Sequence, residues 1–270
     1  MDSVAWCAAA LATHPKTVRE VHEDYIRAGA EVIITNTFPA ARHVLEPAGL
    51  GDRFRELNTR AVELAQQARE NVAEVEVWVA GSISTFTAGN DIARVPDEKE
   101  ARANYREQAE VLAEAGADLI ALEMLEDLKQ ASYAVEAAVS TGLPVSAGFS
   151  AKRGDDGALV LWNMENTLVE ALETVPLSGV SLVSVMHTLV EDTPDALGEV
   201  VERWSGPVGA YPHAGRFEMP NWRFIDQISP EDFAREAVGW HALGARAIGG
   251  CCGIGPEHIR VLADGFDAEK

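Results

Sequence analysis

The chain alternates from start to finish between short apolar runs and longer charged segments with helical spacing, and this alternation constrains its fold most. The apolar runs carry no polar alternation, which is typical of parallel strands buried on both faces. Seven runs are predicted as strands: 31–38, 77–83, 118–124, 144–150, 180–188, 208–213 and 245–250. Eight segments are predicted as helices: 15–28, 53–70, 98–115, 127–140, 166–174, 194–203, 230–243 and 256–266.

This order predicts parallel strands joined by right-handed crossover helices. No early strand is followed by a Gly-x-Gly-x-x-Gly turn, which favours a barrel over a doubly wound sheet. We therefore expect one α/β domain over residues 1–270, a (β/α)8 TIM-type barrel. Only seven strands are found, and the first clear element is a helix. The barrel is therefore expected to lack its first strand.

The charge balance narrows the class of partner. The chain has 43 acidic and 22 basic side chains, a formal charge of -21, which disfavours binding to nucleic acid or to anionic membrane. No apolar run approaches the roughly 18 residues of a transmembrane helix, and the first residues lack a signal-peptide pattern. Three cysteines, two of them adjacent, suit a reducing compartment. We expect a cytoplasmic protein that acts on small molecules, and the sequence leaves open whether it forms a homo-oligomer.

Polar residues end most of the predicted strands, where the reacting groups of such barrels cluster. The strand ends carry Asn36-Thr37-Phe38, Gly81-Ser82-Ile83-Ser84, Glu123, Phe149-Ser150, His187, Tyr211-Pro212-His213 and Gly249-Gly250-Cys251-Cys252-Gly253. These ends should converge on one face of the barrel, so they mark the predicted site.

The cysteine pair Cys251-Cys252 is the sharpest of these features, because adjacent thiolates flanked by glycines can bind one soft metal ion. A catalytic zinc normally takes three protein ligands. His187 is the best third candidate; Glu123, His213 and Cys7 are weaker ones. The alternative is that both cysteines are small buried apolar residues.

The segment Gly249-Gly250-Cys251-Cys252-Gly253, followed by Pro256-Glu257-His258-Ile259, resembles the signature of the homocysteine S-methyltransferase family. The resemblance covers nearly the whole chain in the same order. It is carried further by His22-Glu23-Asp24-Tyr25-Ile26, Ala28-Gly29-Ala30, Thr35-Asn36-Thr37-Phe38, Gly81-Ser82-Ile83, Leu122-Glu123, Phe149-Ser150 and Tyr211-Pro212. It implies a zinc-dependent barrel enzyme of the EC 2.1.1 class that moves a methyl group onto a thiol.

The resemblance also implies residue roles. Cys251 and Cys252 would bind Zn²⁺, Glu123 would hold the homocysteine amino group, and Ser82 would contact its carboxylate. Asn36 and Thr37 would line the same pocket. The zinc ion would lower the pKa of the substrate thiol, so no catalytic residue of the protein is expected to act as a nucleophile.

Two departures from the family pattern stand out. The family usually ends its sixth strand in Gly-x-Asn-Cys, whose cysteine is the third zinc ligand, whereas this chain has Ser184-Val185-Met186-His187. A Cys2His site would be neutral instead of carrying a charge of about -1, so we expect tighter thiolate capture and slower methyl transfer, or selection for a more reactive donor. The Asp-Gly-rich first strand of the family is also absent.

The predicted reaction is zinc-dependent methylation of homocysteine to methionine by a small donor. S-methylmethionine or S-adenosylmethionine is preferred to a betaine or a methyl-corrinoid, because the chain shows no cobalamin or folate module. In the loop 214–228, Phe217, Trp222 and Phe224 are expected either to hold a methylated cation by cation–π contact or to pack as a lid. The alternatives are a non-catalytic metal-binding member of the family and a metal-free barrel lyase, for which Lys152 is the only loop-placed lysine.

Overall fold

We describe a computed structural model of the chain, over residues 7–87, 95–163, 165–218 and 223–267. Its helices are α1 (Ala8–Thr13), α2 (Pro15–Arg27), α3 (Arg42–Leu45), α4 (Phe54–Val72), α5 (Glu98–Glu114), α6 (Leu128–Val139), α7 (Leu168–Thr174), α8 (Thr193–Arg203), α9 (Pro230–Ala242) and α10 (Pro256–Asp267). Its strands are β1 (Val32–Ile34), β2 (Trp78–Ser84), β3 (Leu119–Leu125), β4 (Val145–Arg153), β5 (Leu159–Leu161), β6 (Leu182–Leu189), β7 (Val208–His213), β8 (Arg216–Glu218), β9 (Arg223–Ile225) and β10 (Ala245–Ile248).

The seven predicted parallel strands form one curled sheet in the order β1-β2-β3-β4-β6-β7-β10. Helices alternate with these strands, so the architecture is that of a (β/α)8 TIM-type barrel, as predicted. Within the described ranges, no strand pairing joins β1 to β10. The expectation of a missing first strand concerns the segment ahead of α1, and residues 1–6 of that segment lie outside the described residues.

Strand β1 is shorter than predicted, because threonine side chains take over its pairing with β2. Backbone pairing between these strands ends at Ile34, apart from one further bond from Thr35 N to Ala80 O. The Thr35 hydroxyl then accepts from Ser82 N at 3.1 Å, and the Thr37 hydroxyl donates to Ser82 O at 2.7 Å. Local side-chain hydrogen bonds of this kind compete with a strand ladder, and the chain turns here.

Two short antiparallel pairs were not predicted. Strand β4 runs on to Arg153 and turns back to pair with β5, and β8 pairs with β9 inside the loop 214–228. The β4–β5 hairpin lies at the carboxyl end of β4, so it extends the barrel on the side where the strand ends converge.

The main core lies between the strands and the surrounding helices, and includes Tyr105, Phe149, Phe233 and Trp240, all fully buried. Several helix starts follow the sequence signals: Asp127 and Ser229 cap α6 and α9 with their side chains, and Pro230 opens α9. No helix in the described part of the chain is long and apolar enough to cross a membrane.

Candidate metal centre and substrate pocket

The cysteine pair is held at the barrel rim because parallel pairing with β7 continues beyond the end of β10. Gly249 N donates to Ala210 O at 2.9 Å, and Cys251 N donates to Pro212 O at 2.8 Å. Ala214 N in turn donates to Cys252 O at 2.9 Å. These bonds fix the backbone on both sides of the two thiols, so their position follows from the sheet.

The glycines around the pair allow the backbone to turn tightly. A Cβ at Gly250 would overlap the side chain of Ile254, and Gly253 has a φ of +78°. The Tyr25 hydroxyl donates to Ile254 O at 2.7 Å, which ties the loop to α2. Tyr25 therefore contributes to the site through the backbone it holds.

His187 is turned toward the cysteines by an irregularity at the end of β6. Its φ is +44°, an uncommon conformation for a residue other than glycine, and the β6–β7 register shifts between Met186 and Leu189. The carbonyl of His187 accepts hydrogen bonds from the Ser150 hydroxyl at 3.2 Å and from Trp162 Nε1 at 3.1 Å. Two donors from the β4–β5 hairpin region thus hold the strained residue in place.

The ligand atoms of His187, Cys251 and Cys252 lie within 4.8 Å of one another and could hold a metal ion. Cys251 Sγ is 3.5 Å from His187 Nδ1 and 3.7 Å from Cys252 Sγ. A tetrahedral zinc ion with ordinary bond lengths separates two sulfurs by about 3.8 Å, and sulfur from nitrogen by about 3.5 Å. Both separations from Cys251 Sγ therefore fit a tetrahedral ion, and three protein ligands would leave a fourth position for another ligand.

The two thiols differ in acidity. The Cys251 thiol donates to the Cys252 sulfur, which lowers the pKa of Cys252 and raises the pKa of Cys251. His187 lowers the pKa of Cys252 further, by hydrogen bonding and by its charge. Cys252 is therefore the first of the pair to become a thiolate, the form in which cysteine binds metal.

Glu123 is a buried carboxylate beside this centre. Its neighbour Met124 has a φ of +53°, and the β3–β4 register shifts between Leu122 and Leu125, so an irregularity like that at His187 follows the glutamate. The Ser82 hydroxyl donates to Glu123 Oε2. Burial raises the pKa of Glu123 to about 7, against the lowering effect of the Ser82 hydrogen bond. A desolvated carboxyl is well suited to bind a cationic group, because the pairing stabilises its charged form.

Asn36 and Thr37 lie at the end of β1, next to the Ser82 segment. The Thr37 side chain is fully buried and its hydroxyl is committed to Ser82 O. Asn36 Nδ2 donates to Cys7 O at 3.4 Å, while its buried Oδ1 has no hydrogen-bond partner within the described residues. Of these two residues, Asn36 therefore has an unused acceptor, its Oδ1, among the described residues. The roles of Asn36 and Thr37 in the substrate pocket stay predictions.

Of the four candidates for the third metal ligand, the structure places His187 beside the cysteine pair. Glu123, His213 and Cys7 do not belong to the group of converging ligand atoms in the described part of the chain. His213 stacks beside His187 at 4.7 Å between ring centroids, and its buried Nδ1 has no partner there. Of the predicted aromatic loop, Phe224 packs close to Gly253, whereas Trp222 and the Phe217 side chain lie outside the described residues.

Sequence reasoning missed Trp162. Its ring lies 5.1 Å from the His187 ring, and Lys152 Nζ lies over it at 4.4 Å from the centroid. Nothing in the sequence around Trp162 marks it as a site residue, because the β4–β5 hairpin that brings it to the rim was not predicted. The polar turn Lys152-Arg153-Gly154-Asp155-Asp156-Gly157 between two apolar runs was the available hairpin signal.

Comparison with known proteins decides the family. The family model described as homocysteine S-methyltransferase matches residues 1–266. The chain belongs to the homocysteine S-methyltransferase family. It is 29% identical to betaine–homocysteine S-methyltransferase 1 of Danio rerio, over 98% of this chain and 68% of that protein. It is 28% identical to an S-methylmethionine–homocysteine S-methyltransferase of Rattus norvegicus, over 98% of this chain and 73% of that protein.

A solved structure supports the same assignment. The metallated form of the homocysteine methyltransferase MmuM from Escherichia coli superposes with a TM-score of 0.79 and 26% identity, covering 98% of this chain and 90% of that chain. The relatives of this chain are transferases of the EC 2.1.1 class, so this member of the homocysteine S-methyltransferase family is an enzyme of that class. Membership supports methyl transfer to homocysteine and argues against the lyase alternative.

Proposed function

We propose that the protein transfers a methyl group from a small onium donor to the thiol of homocysteine and produces methionine, with a zinc ion held by His187, Cys251 and Cys252. The observation that carries the proposal is the convergence of one imidazole nitrogen and two sulfurs within 4.8 Å of one another, with both separations from Cys251 Sγ at values expected of a tetrahedral site. Two thiolates and an imidazole form a donor set that suits zinc. The bound zinc ion would supply a Lewis acid that keeps the substrate thiol ionised near neutral pH.

The chain's own residues would orient the acceptor. The ionised Glu123 carboxylate would hold the homocysteine ammonium, and the Ser82 hydroxyl that donates to Glu123 would fix its rotamer. Burial strengthens this contact, since a charged pair attracts more strongly where water is excluded. Asn36, with its free Oδ1, would offer a second acceptor in the same pocket.

The transfer needs no protein nucleophile. The homocysteine sulfur, having lost its proton to solvent, forms a bond to the methyl carbon, while the bond from that carbon to the onium sulfur or nitrogen breaks. The electron pair of the broken bond stays on the leaving atom, which becomes neutral. The protein's contribution is therefore to bind, orient and partly desolvate two small molecules.

An assay of homocysteine against S-methylmethionine, S-adenosylmethionine and glycine betaine, with methionine as the readout, tests the proposal. We expect methionine from at least one donor and about one zinc per chain, with activity lost on chelation and restored by zinc. If protein that holds one zinc forms no methionine with any donor, methyl transfer is wrong and a non-catalytic metal-binding role is favoured.

Replacing His187 with cysteine should raise the pKa of the bound substrate thiol. The third thiolate adds a negative charge to the ligand set, and this opposes ionisation of the substrate by about one pKa unit. We expect weaker homocysteine binding near pH 7 in His187→Cys, together with faster methyl transfer per bound substrate. The pH dependence of the homocysteine Kd measures the shift; equal thiol pKa values in both proteins would contradict it.

A further inference from the structure

A lysine near the candidate metal centre forms no direct ion pair with any residue that the structure describes. Lys152 is partly buried, whereas Lys16, Lys99 and Lys129, the other lysines in the described ranges, are exposed. No carboxylate oxygen in the described part of the chain lies within 4.0 Å of Lys152 Nζ, which instead lies over the Trp162 ring. A half-buried ammonium that forms no direct ion pair among the described residues can still donate a charge-assisted hydrogen bond to an anion.

The Trp162 ring connects this lysine to the reaction centre. One ring contacts Lys152 at 4.4 Å and His187 at 5.1 Å, and its Nε1 donates to the His187 carbonyl, so the indole is fixed in orientation. A ring that already attracts one ammonium would attract a methylated onium as well. Trp162 therefore contacts both Lys152 and His187, one of the candidate metal ligands.

The charges around Trp162 favour one kind of methyl donor over another. Glu126, also partly buried, interacts electrostatically with Lys152 and His187 but forms no direct ion pair with the lysine. An onium cation that reaches Trp162 therefore meets the Lys152 ammonium, which forms no direct ion pair among the described residues. A donor that carries its own carboxylate replaces that repulsion with a charge-assisted hydrogen bond, whereas a donor without one does not.

We infer that Lys152 is a specificity-determining residue that binds the carboxylate of the methyl donor, with Trp162 as the wall along which the onium group lies. The enzyme would thus select zwitterionic onium donors and disfavour simple onium cations. This inference rests on the proposed function, because it assigns the donor to that same site.

The test uses Lys152→Met in the zinc-loaded enzyme, with S-methylmethionine and trimethylsulfonium as donors with and without a carboxylate. We expect the KM for S-methylmethionine to rise at least about tenfold, the loss of one charge-assisted hydrogen bond. The KM for trimethylsulfonium should stay equal or fall, and the KM for homocysteine should not change. Lys152→Arg should recover part of the S-methylmethionine affinity, and Lys99→Met, an exposed lysine on α5, is the matched control.

Calorimetric binding of S-methylmethionine to wild type and Lys152→Met decides the inference even if turnover is absent. A tenfold weaker Kd in the variant supports it. Equal affinity, or an equal loss for both donors, overturns it while leaving methyl transfer intact. Absence of turnover in wild type with every donor would overturn the proposed function instead, so the two failures are distinguishable.

Discussion

Replacing Cys251 or Cys252 with serine should release the bound zinc ion and lower kcat/KM for homocysteine on the order of a thousandfold or more. A serine hydroxyl is not ionised near neutral pH, and zinc prefers thiolate sulfur in this geometry. Each substitution removes one of the three converging atoms and leaves a two-ligand site. Zinc content by inductively coupled plasma mass spectrometry and steady-state kinetics measure both effects.

The third cysteine provides the control. Cys7 is a partly buried thiol whose pKa is raised to about 11, mainly by burial, and it lies outside the group of converging ligand atoms in the described ranges. Cys7→Ser should therefore keep about one zinc per chain and most of the activity. Zinc retained at full occupancy in both Cys251→Ser and Cys252→Ser would show that the metal is bound elsewhere.

Replacing Glu123 with glutamine should weaken homocysteine binding by about a hundredfold, because an amide cannot neutralise the substrate ammonium inside a buried pocket. The amide can still accept from the Ser82 hydroxyl, so the pocket keeps its shape. Titration of homocysteine into the zinc-loaded proteins measures the loss. Glu110→Gln, at an exposed position on α5, is the control and should bind as wild type does.

The same substitution should stabilise the metal-free protein at high pH. Burial raises the pKa of Glu123 to about 7 from an ordinary 4.5, so the folded state keeps a proton that the unfolded state has released. Wild-type stability therefore falls as pH rises from about 4.5 to 7 and stays lower above that. We therefore expect the difference in the free energy of unfolding between Glu123→Gln and wild type to shift by about 1–3 kcal/mol in favour of the variant between pH 4 and pH 8.

Denaturant unfolding of both metal-free proteins at pH 4 and pH 8 measures this difference. A stability gap that is independent of pH would show that Glu123 does not titrate as described. If Glu123→Gln binds homocysteine as tightly as wild type does, Glu123 does not bind the substrate ammonium. The two results are independent, because one concerns the free protein and the other the complex.

Much of the fold was predictable because strands and helices leave periodic patterns in the sequence. The seven parallel strands and the helices between them form where apolar runs and helical spacing place them, with small differences at their ends. Strand β1 stops at Ile34, because the Thr35 and Thr37 hydroxyls pair with β2 in place of the backbone. A hydrogen bond between a side chain and a distant backbone group leaves no periodic pattern in the sequence. The end of a strand that depends on such bonds therefore cannot be predicted from the sequence.

The sequence by itself determined the fold class and the cysteine pair, because both depend on local pattern: hydrophobic periodicity, and two thiols set between glycines at a strand end. Only the tertiary structure decided that His187 meets those thiols, that Ser82 bonds to Glu123, and that Trp162 brings Lys152 to the same rim. These contacts join residues 10 to 64 positions apart. They depend on the register of β3, β4 and β6 and on the irregularities at Met124 and His187, which arise between paired strands and not within any one segment.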